Sequence, residues 1–280
     1  MPAPDSYIYD GALQAERHRL RLLERDTNAR RAAALEGALP AVVESILDVG
    51  CGTGALGLDF KSRFPRSRLI GLDVNSAILR RAKESWEHDP SLAFVNADAF
   101  HLPLRSHTFD LVACQYLLQH VPRPAEVLSE MRRVAKPGAR LASFDWDDGV
   151  NFTFPPMPQQ LQSLFAAKTE LVRLKGGDRH IGRKLHSLAT AAGWVNVQVR
   201  VIPDVWEGPA DRREQLAGTE LSLRQIKGQL LSHGLITEQD FEAAILLLYD
   251  FFCGDVFSVV FYFAAFADNE YIRHSPSACA

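Results

Sequence analysis

Ile46-Leu47-Asp48-Val49-Gly50-Cys51-Gly52-Thr53-Gly54 is the stretch on which the fold turns. An apolar run ends in an acid, and three glycines follow at every second position. Near-continuous apolar runs mark strands buried in a parallel sheet, so this one delivers the chain to a tight turn. Glycine there permits backbone angles and a close ligand approach that any Cβ would block. The spacing predicts a helix just after Gly54, its N-terminal amides facing whatever the loop holds. The loop reads as a nucleotide cradle, but a glycine turn alone does not say which nucleotide.

The segments downstream narrow the choice. Arg68-Leu-Ile-Gly-Leu-Asp73 ends in an acid 19 residues after Gly54, which suits a carboxylate accepting hydrogen bonds from both ribose hydroxyls. A third apolar stretch, Leu92 to Asp98, ends in another acid. A fourth, Phe109 to Gln115, runs towards Tyr116 and His120, and a fifth, Ala139 to Asp145, follows the turn Lys136-Pro137-Gly138. Strand and helix alternate to about residue 147, as a doubly wound sheet requires. Asn75 and Ser76 stand where they can cap the helix carrying Ile78 and Leu79. Dinucleotide folds space their glycines as Gly-x-Gly-x-x-Gly. Here the third glycine comes one residue early, position 55 is Ala, and the loop holds no Lys or Arg for a pyrophosphate.

With these residues in place, the chain resembles class I S-adenosylmethionine-dependent methyltransferases, most closely the subgroup acting on small molecules such as ubiquinone and menaquinone precursors. The first motif of that family is an acid followed by Gly-x-Gly-x-Gly, met here by Asp48, Gly50, Gly52 and Gly54. Its ribose acid falls on Asp73, its adenine-contacting acid on Asp98, its strand-four motif on Phe109 to Val112, and its trailing Leu-x-His on Leu118 and His120. The resemblance implies S-adenosyl-L-methionine as cofactor and S-adenosyl-L-homocysteine as product. It implies contacts from Asp48, Gly50, Cys51, Gly52, Gly54, Asp73, Val74, Asp98, Ala99 and Gln115. It implies a Rossmann-like α/β fold, a doubly wound seven-stranded sheet with the last strand antiparallel and helical lid insertions. Residues 1–40 would then be an N-terminal helical lid segment. Residues 41–280 would be the methyltransferase domain, with cap insertions at about 151–180 and 207–252. Beyond Trp146 only Ile181-Gly-Arg183 and a terminal apolar strand keep the likeness.

Composition sets the outer bounds. The chain has 280 residues, 47% of them hydrophobic, ample for one large core or a core with a small cap. A net charge of -3 and dispersed arginines argue against nucleic acid as a partner. Cys51, Cys114, Cys253 and Cys279 form no Cys-x-x-Cys pair and read as reduced thiols of a cytoplasmic protein. Residues 1–12 lack the pattern of a signal peptide. The longest apolar run, Val256 to Ala267, falls short of the roughly 20 residues needed to span a bilayer and reads as a buried strand. Between the sheet and that strand, residues 151–158 cannot be regular helix. A helix then places Leu161, Leu164, Phe165, Leu171 and Val172 on one stripe, and Gly176-Gly177 breaks it. Ile181 to Ala192 is helical, Trp194 to Ile202 alternates as a strand, and residues 210–252 form a helical insertion. The nearly all-round apolar helix Phe241 to Phe252 suggests a subunit interface and hence a homo-oligomer.

Methyl transfer from a sulfonium is an in-line displacement with a neutral leaving group. Alignment can supply about 7–11 kcal/mol of such a barrier, whereas a general base adds typically about 10²- to 10⁴-fold. The expected chemistry is therefore transfer to a small apolar or aromatic metabolite, governed by positioning. Four residues are candidates for catalysis: Tyr9, His120, Asp145 and His180. Tyr9, with Tyr7, precedes the first helix, where it would close the pocket or belong to a frayed terminus. His120 is a structural residue first and a base second. Asp145, Asp147 and Asp148 crowd around Trp146; a solvated turn is favoured over a metal site, and one acid remains free for an acceptor amine or hydroxyl. Arg183 reads as an ion-pair partner and His180 as exposed, or as a base titrating near neutrality. No metal is expected. Two other readings share the motifs: a protein using the sulfonium for another reaction such as a cyclisation, and a non-catalytic binding partner.

Overall fold

The computed structural model describes residues 30–85 and 89–270. Of the expected N-terminal lid, residues 1–29, with Tyr7 and Tyr9, lie outside the described residues, as does Cys279; of residues 30–40, 30–35 are helical. The apolar run becomes β1, Ser45–Val49, and the glycine turn leads into α1, Ala55–Arg63. The alternation then continues through β2 (Arg68–Asp73), α2 (Ser76–Ser85), β3 (Leu92–Asn96), β4 (Phe109–Gln115), α3 (Pro124–Val134) and β5 (Ala135–Trp146). These five strands are parallel. Asn75 caps α2 as its sequence position suggests, accepting from the amides of Ala77 and Ile78 at 3.1 and 3.2 Å.

The second half supplies β6 (Phe152–Phe154), α4 (Gln159–Leu174), α5 (Leu185–Ala191), β7 (Val195–Trp206), α6 (Arg213–Ser232), α7 (Glu238–Phe252) and β8 (Phe257–Asp268). The sheet order is β3-β2-β1-β4-β5-β8-β6, with β7 along the other edge of β8. The last strand is antiparallel to its neighbours, as expected. The expected count of seven strands is exceeded by one. The three residues of β6 pair with Phe257–Val259, continuing along the β8 edge that β5 leaves at Tyr262. Two boundaries also move. β5 begins at Ala135, so Lys136-Pro137-Gly138 is a bulge within it, with Gly138 at φ 80 and the register against β4 shifting between Phe109 and Leu111. β7 runs through Pro203 to Trp206. Proline is tolerated there because an edge strand needs no second donor.

Burial follows the two periods. In β1, Leu47 and Val49 pack with α3, α5 and Trp194 on one face, while Ile46 packs with Phe60, Phe144 and Phe266 on the other. A third cluster lies among the helices of the second half. Leu161, Leu164 and Leu171 of α4 meet Leu223 and Ile226 of α6 and Phe241 and Leu248 of α7. Burying each such side chain contributes about 1.5–3 kcal/mol, so these three helices hold a hydrophobic core of their own. The apolar face of α7 is largely spent inside it, although Leu246 stays 75% exposed.

Candidate functional site

The turn after β1 works as its glycines require. Gly50, Gly52 and Gly54 all take positive φ, at 71, 54 and 91°, a region open to glycine at little cost. The Gly50 and Cys51 amides donate to Leu72 O at 2.7 and 3.0 Å, tying the turn to β2. At the end of β2 the Asp73 carboxylate accepts from the Gly52 amide at 2.9 Å and the Asn75 amide at 2.8 Å. Each of its oxygens keeps acceptor capacity, and burial pushes this carboxyl above its ordinary value despite those bonds. Asp98 likewise accepts from the Phe100 amide at 3.0 Å.

Asp48 is almost wholly buried. Burial raises its carboxyl to about 7; the Arg31 guanidinium opposes this, and the Asp73 charge adds to it. Arg31 is itself buried, pairs with Asp59 and donates to Gln115 Oε1 at 2.8 Å. Nothing in the sequence singles out Arg31, because its partners come from α1 and β4, far along the chain.

One cavity of about 1340 Å³ runs from this turn to the cap. Of the residues expected at a cofactor, Asp48, Gly50, Cys51, Gly52, Asp73, Val74, Asp98, Ala99 and Gln115 line it. Gly54 does not; it is the left-handed residue that opens α1. His120 and His180 line the cavity too, as do Tyr116, Gln119 and Trp146. Tyr116 holds a positive φ of 55 at the end of β4, a rare conformation for an aromatic residue and one that concentrates at functional sites. Its ring stacks on Trp146 with centroids 5.6 Å apart. Arg30, paired with Asp204 of β7, lies over the same indole at 5.4 Å.

The acids at the end of β5 and just past it correct the expectation of a solvated turn. Asp145 and Asp147 are fully buried. Asp145 stands behind the cavity wall, accepting from the Trp146 and Gln119 amides at 3.1 and 3.3 Å, and burial raises it to about 7. It anchors the short turn Leu118–His120. Arg183 grips Asp147 through Nε at 2.7 Å and a terminal nitrogen at 2.6 Å, the ion-pair role expected of it. Asp148 alone of the three lines the cavity, in a two-pronged pair with Arg179 at 2.8 Å on both prongs. Arg179 also donates to Gln119 Oε1, joining the segment that follows α4 to the turn after β4. His180, read as exposed, is half-buried at the cavity wall because Arg179 draws that linker inward. Among the described residues, no cluster of His, Cys, Asp or Glu could hold a metal ion, and no helix is long and apolar enough to cross a membrane.

Comparison with known proteins agrees with this geometry. Residues 47–143 match the family described as methyltransferase domain. An uncharacterised 37.1 kDa protein in transposon TN4556 of Streptomyces fradiae is 32% identical over 69% of this chain and 54% of its own length. The demethylmenaquinone methyltransferase of Deinococcus radiodurans is 34% identical over 47% of this chain and 51% of its own. The chain thus spans about half the length of these relatives. Among solved structures, phosphoethanolamine N-methyltransferase 2 of Haemonchus contortus in complex with S-adenosyl-L-methionine superposes with a TM-score of 0.56 at 18% identity, covering 87% of this chain and 53% of that one. At that identity the likeness is one of fold.

Proposed function

Because this chain carries a class I S-adenosylmethionine-dependent methyltransferase domain of the small-molecule type, we propose that it transfers a methyl group to a small metabolite with an apolar or aromatic body. The carrying observation is the single cavity joining the glycine turn to the cap. At about 1340 Å³ it exceeds the roughly 300–1,000 Å³ of an ordinary ligand pocket, leaving room for a donor and an acceptor together.

The donor end fits an adenosyl amino acid by its chemistry. Asp73 offers free acceptor capacity on both oxygens for a ribose. Asp98 and Ala99 line the same end and would hold the base, Asp98 accepting from its exocyclic amine. Gly50 and Gly52 present bare backbone, and a Cβ on Gly50 would strike Leu117 at 3.0 Å. Asp48 is a buried carboxylate favouring a nearby cation, here the ammonium of the amino acid moiety, reached directly or through water. Gln115 completes that end. S-adenosylmethionine, when bound, supplies an activated methyl on a positively charged sulfur.

The rest falls to positioning, water exclusion and proton handling. Tyr116 and Trp146 form a flat aromatic wall between the donor end and the cap, and Phe165, Trp206 and Phe252 continue the apolar lining. His120 and His180 line the cavity and present imidazoles that could accept a proton from the acceptor. Asp145 acts on the site through the turn it anchors. Alignment is the larger contribution, so removing either imidazole costs less than disturbing the aromatic wall. The test is incubation of the purified chain with S-adenosylmethionine and a panel of hydroxyarenes, amines and activated methylenes. A product heavier by one methyl group, with matching S-adenosylhomocysteine, is expected; product of unchanged mass, or none across the panel, would refute transfer.

A further inference from the structure

We propose that the acceptor is an anion of the carboxylate class whose charged group is held by Lys168 of the cap, beside the Arg179–Asp148 pair. This rests on the methyl-transfer reading above and names the substrate class for that same cavity. The charges lining the cavity divide into two populations. At the donor end stand three acids, Asp48 and Asp73 near strand ends and Asp98 two residues past one. On the cap side every lining acid already has its own cation. Asp148 is paired with Arg179, Asp204 with Arg30, and Glu170 with Arg173 at 2.7 Å. Lys168 is left over: among the described residues it makes no ion pair or hydrogen bond, although it is half-buried and lines the cavity.

A half-buried ammonium with no direct ion pair or hydrogen bond is costly, since buried charges are ordinarily paired. Its surroundings define what would compensate it. Phe165 and Thr169, three residues before and one after on α4, also line the cavity, with Met157, Trp206 and Phe252 around them. An apolar ring with one carboxylate matches that wall, the ring on the aromatic residues and the anion on Lys168. Lys168 is also near enough to Asp148 to act on it. Burial would raise the Asp148 carboxyl, yet Arg179 and then Lys168 hold it below its ordinary value. The local sum of Lys168, Arg179 and Asp148 is one positive charge, matched by one negative charge on the ligand.

The test uses 2-naphthoate and its neutral isostere 2-naphthamide as probes, titrated by calorimetry into the full chain with and without saturating S-adenosylhomocysteine. Wild type should prefer the carboxylate by about tenfold, the scale of one charge-assisted hydrogen bond. Lys168→Arg should keep that preference. Lys168→Met should erase it while leaving the naphthamide and S-adenosylhomocysteine affinities and the melting midpoint unchanged. Equal affinity for the two probes in wild type, no binding of either, or a preference that survives in Lys168→Met overturns the proposal. Absence of the preference in wild type that still binds S-adenosylhomocysteine defeats this proposal alone, whereas failure of wild type to bind S-adenosylhomocysteine defeats the methyl-transfer reading.

Discussion

The cavity has two walls that use the chain differently. The glycine-turn wall, from Asp48 to Ala99, presents backbone amides and carboxylates at the ends of neighbouring parallel strands. The cap wall, from Met157 to Thr219, presents side chains of α4 and α6, which rest on a hydrophobic cluster separate from those of the sheet. In the first wall geometry follows from local sequence, because a strand, a bare turn and a helix fix where each amide and acid stands. In the second it follows from packing between helices some fifty residues apart, so its chemistry is free to vary while the fold persists.

The sharpest way to break this division is to loosen the cap core. Leu223 is fully buried between α4 and α7. Leu223→Ala should destabilise the cap by about 2–5 kcal/mol. Amide exchange should then accelerate in α4, α6 and α7 and stay slow in β1 and β4. Equal acceleration throughout would make sheet and cap one cooperative unit and remove the distinction.

A smaller effect sharpens the donor wall. In the free protein Asp48 titrates near 7, far above the ordinary carboxylate value of 3.8, because of its burial. The folded state therefore holds a proton that the unfolded chain releases between pH 3.8 and about 7. Across that window Asp48 contributes stability that is lost as pH rises, and Asp145 behaves alike. A ligand ammonium favours the ionised form. S-adenosylhomocysteine affinity should thus rise with pH up to about 7, by at most about tenfold per unit, and then level off. Asp48→Asn should flatten that slope; a slope unchanged by the substitution would place the cation elsewhere.

The same division explains what could be read from the sequence. The glycine-turn wall was legible as a structure because Gly50, Gly52 and Gly54 announce left-handed backbone and because Asp48, Asp73 and Asp98 end or follow apolar runs. Even there the third strand stops at Asn96, two residues before the acid that the apolar stretch pointed to. The acids Asp145 and Asp147 around the end of β5 were misread as solvated. Asp147 owes its burial to Arg183, and Asp145 to the Gln119 amide, 36 and 26 residues away in the chain. His180 was read as exposed for the same reason, since the Arg179–Asp148 pair that draws it inward spans 31 residues. β6 carries no signal beyond Phe-Thr-Phe, and its pairing exists only because β5 ends before β8 does. Lys168 looks like any helix lysine until the cations around it are matched to their acids.

The central claim is that strand-end carboxylates around a bare turn hold the adenosyl amino acid. It is tested most directly by calorimetric titration of S-adenosylhomocysteine into wild type and Asp73→Ala, with NADH as the control ligand. The account predicts one-to-one binding to wild type, weakened by about 1–3 kcal/mol in Asp73→Ala through lost charge-assisted hydrogen bonds, and no heat with NADH. Equal affinity in the two proteins, or binding of NADH in place of S-adenosylhomocysteine, would contradict it.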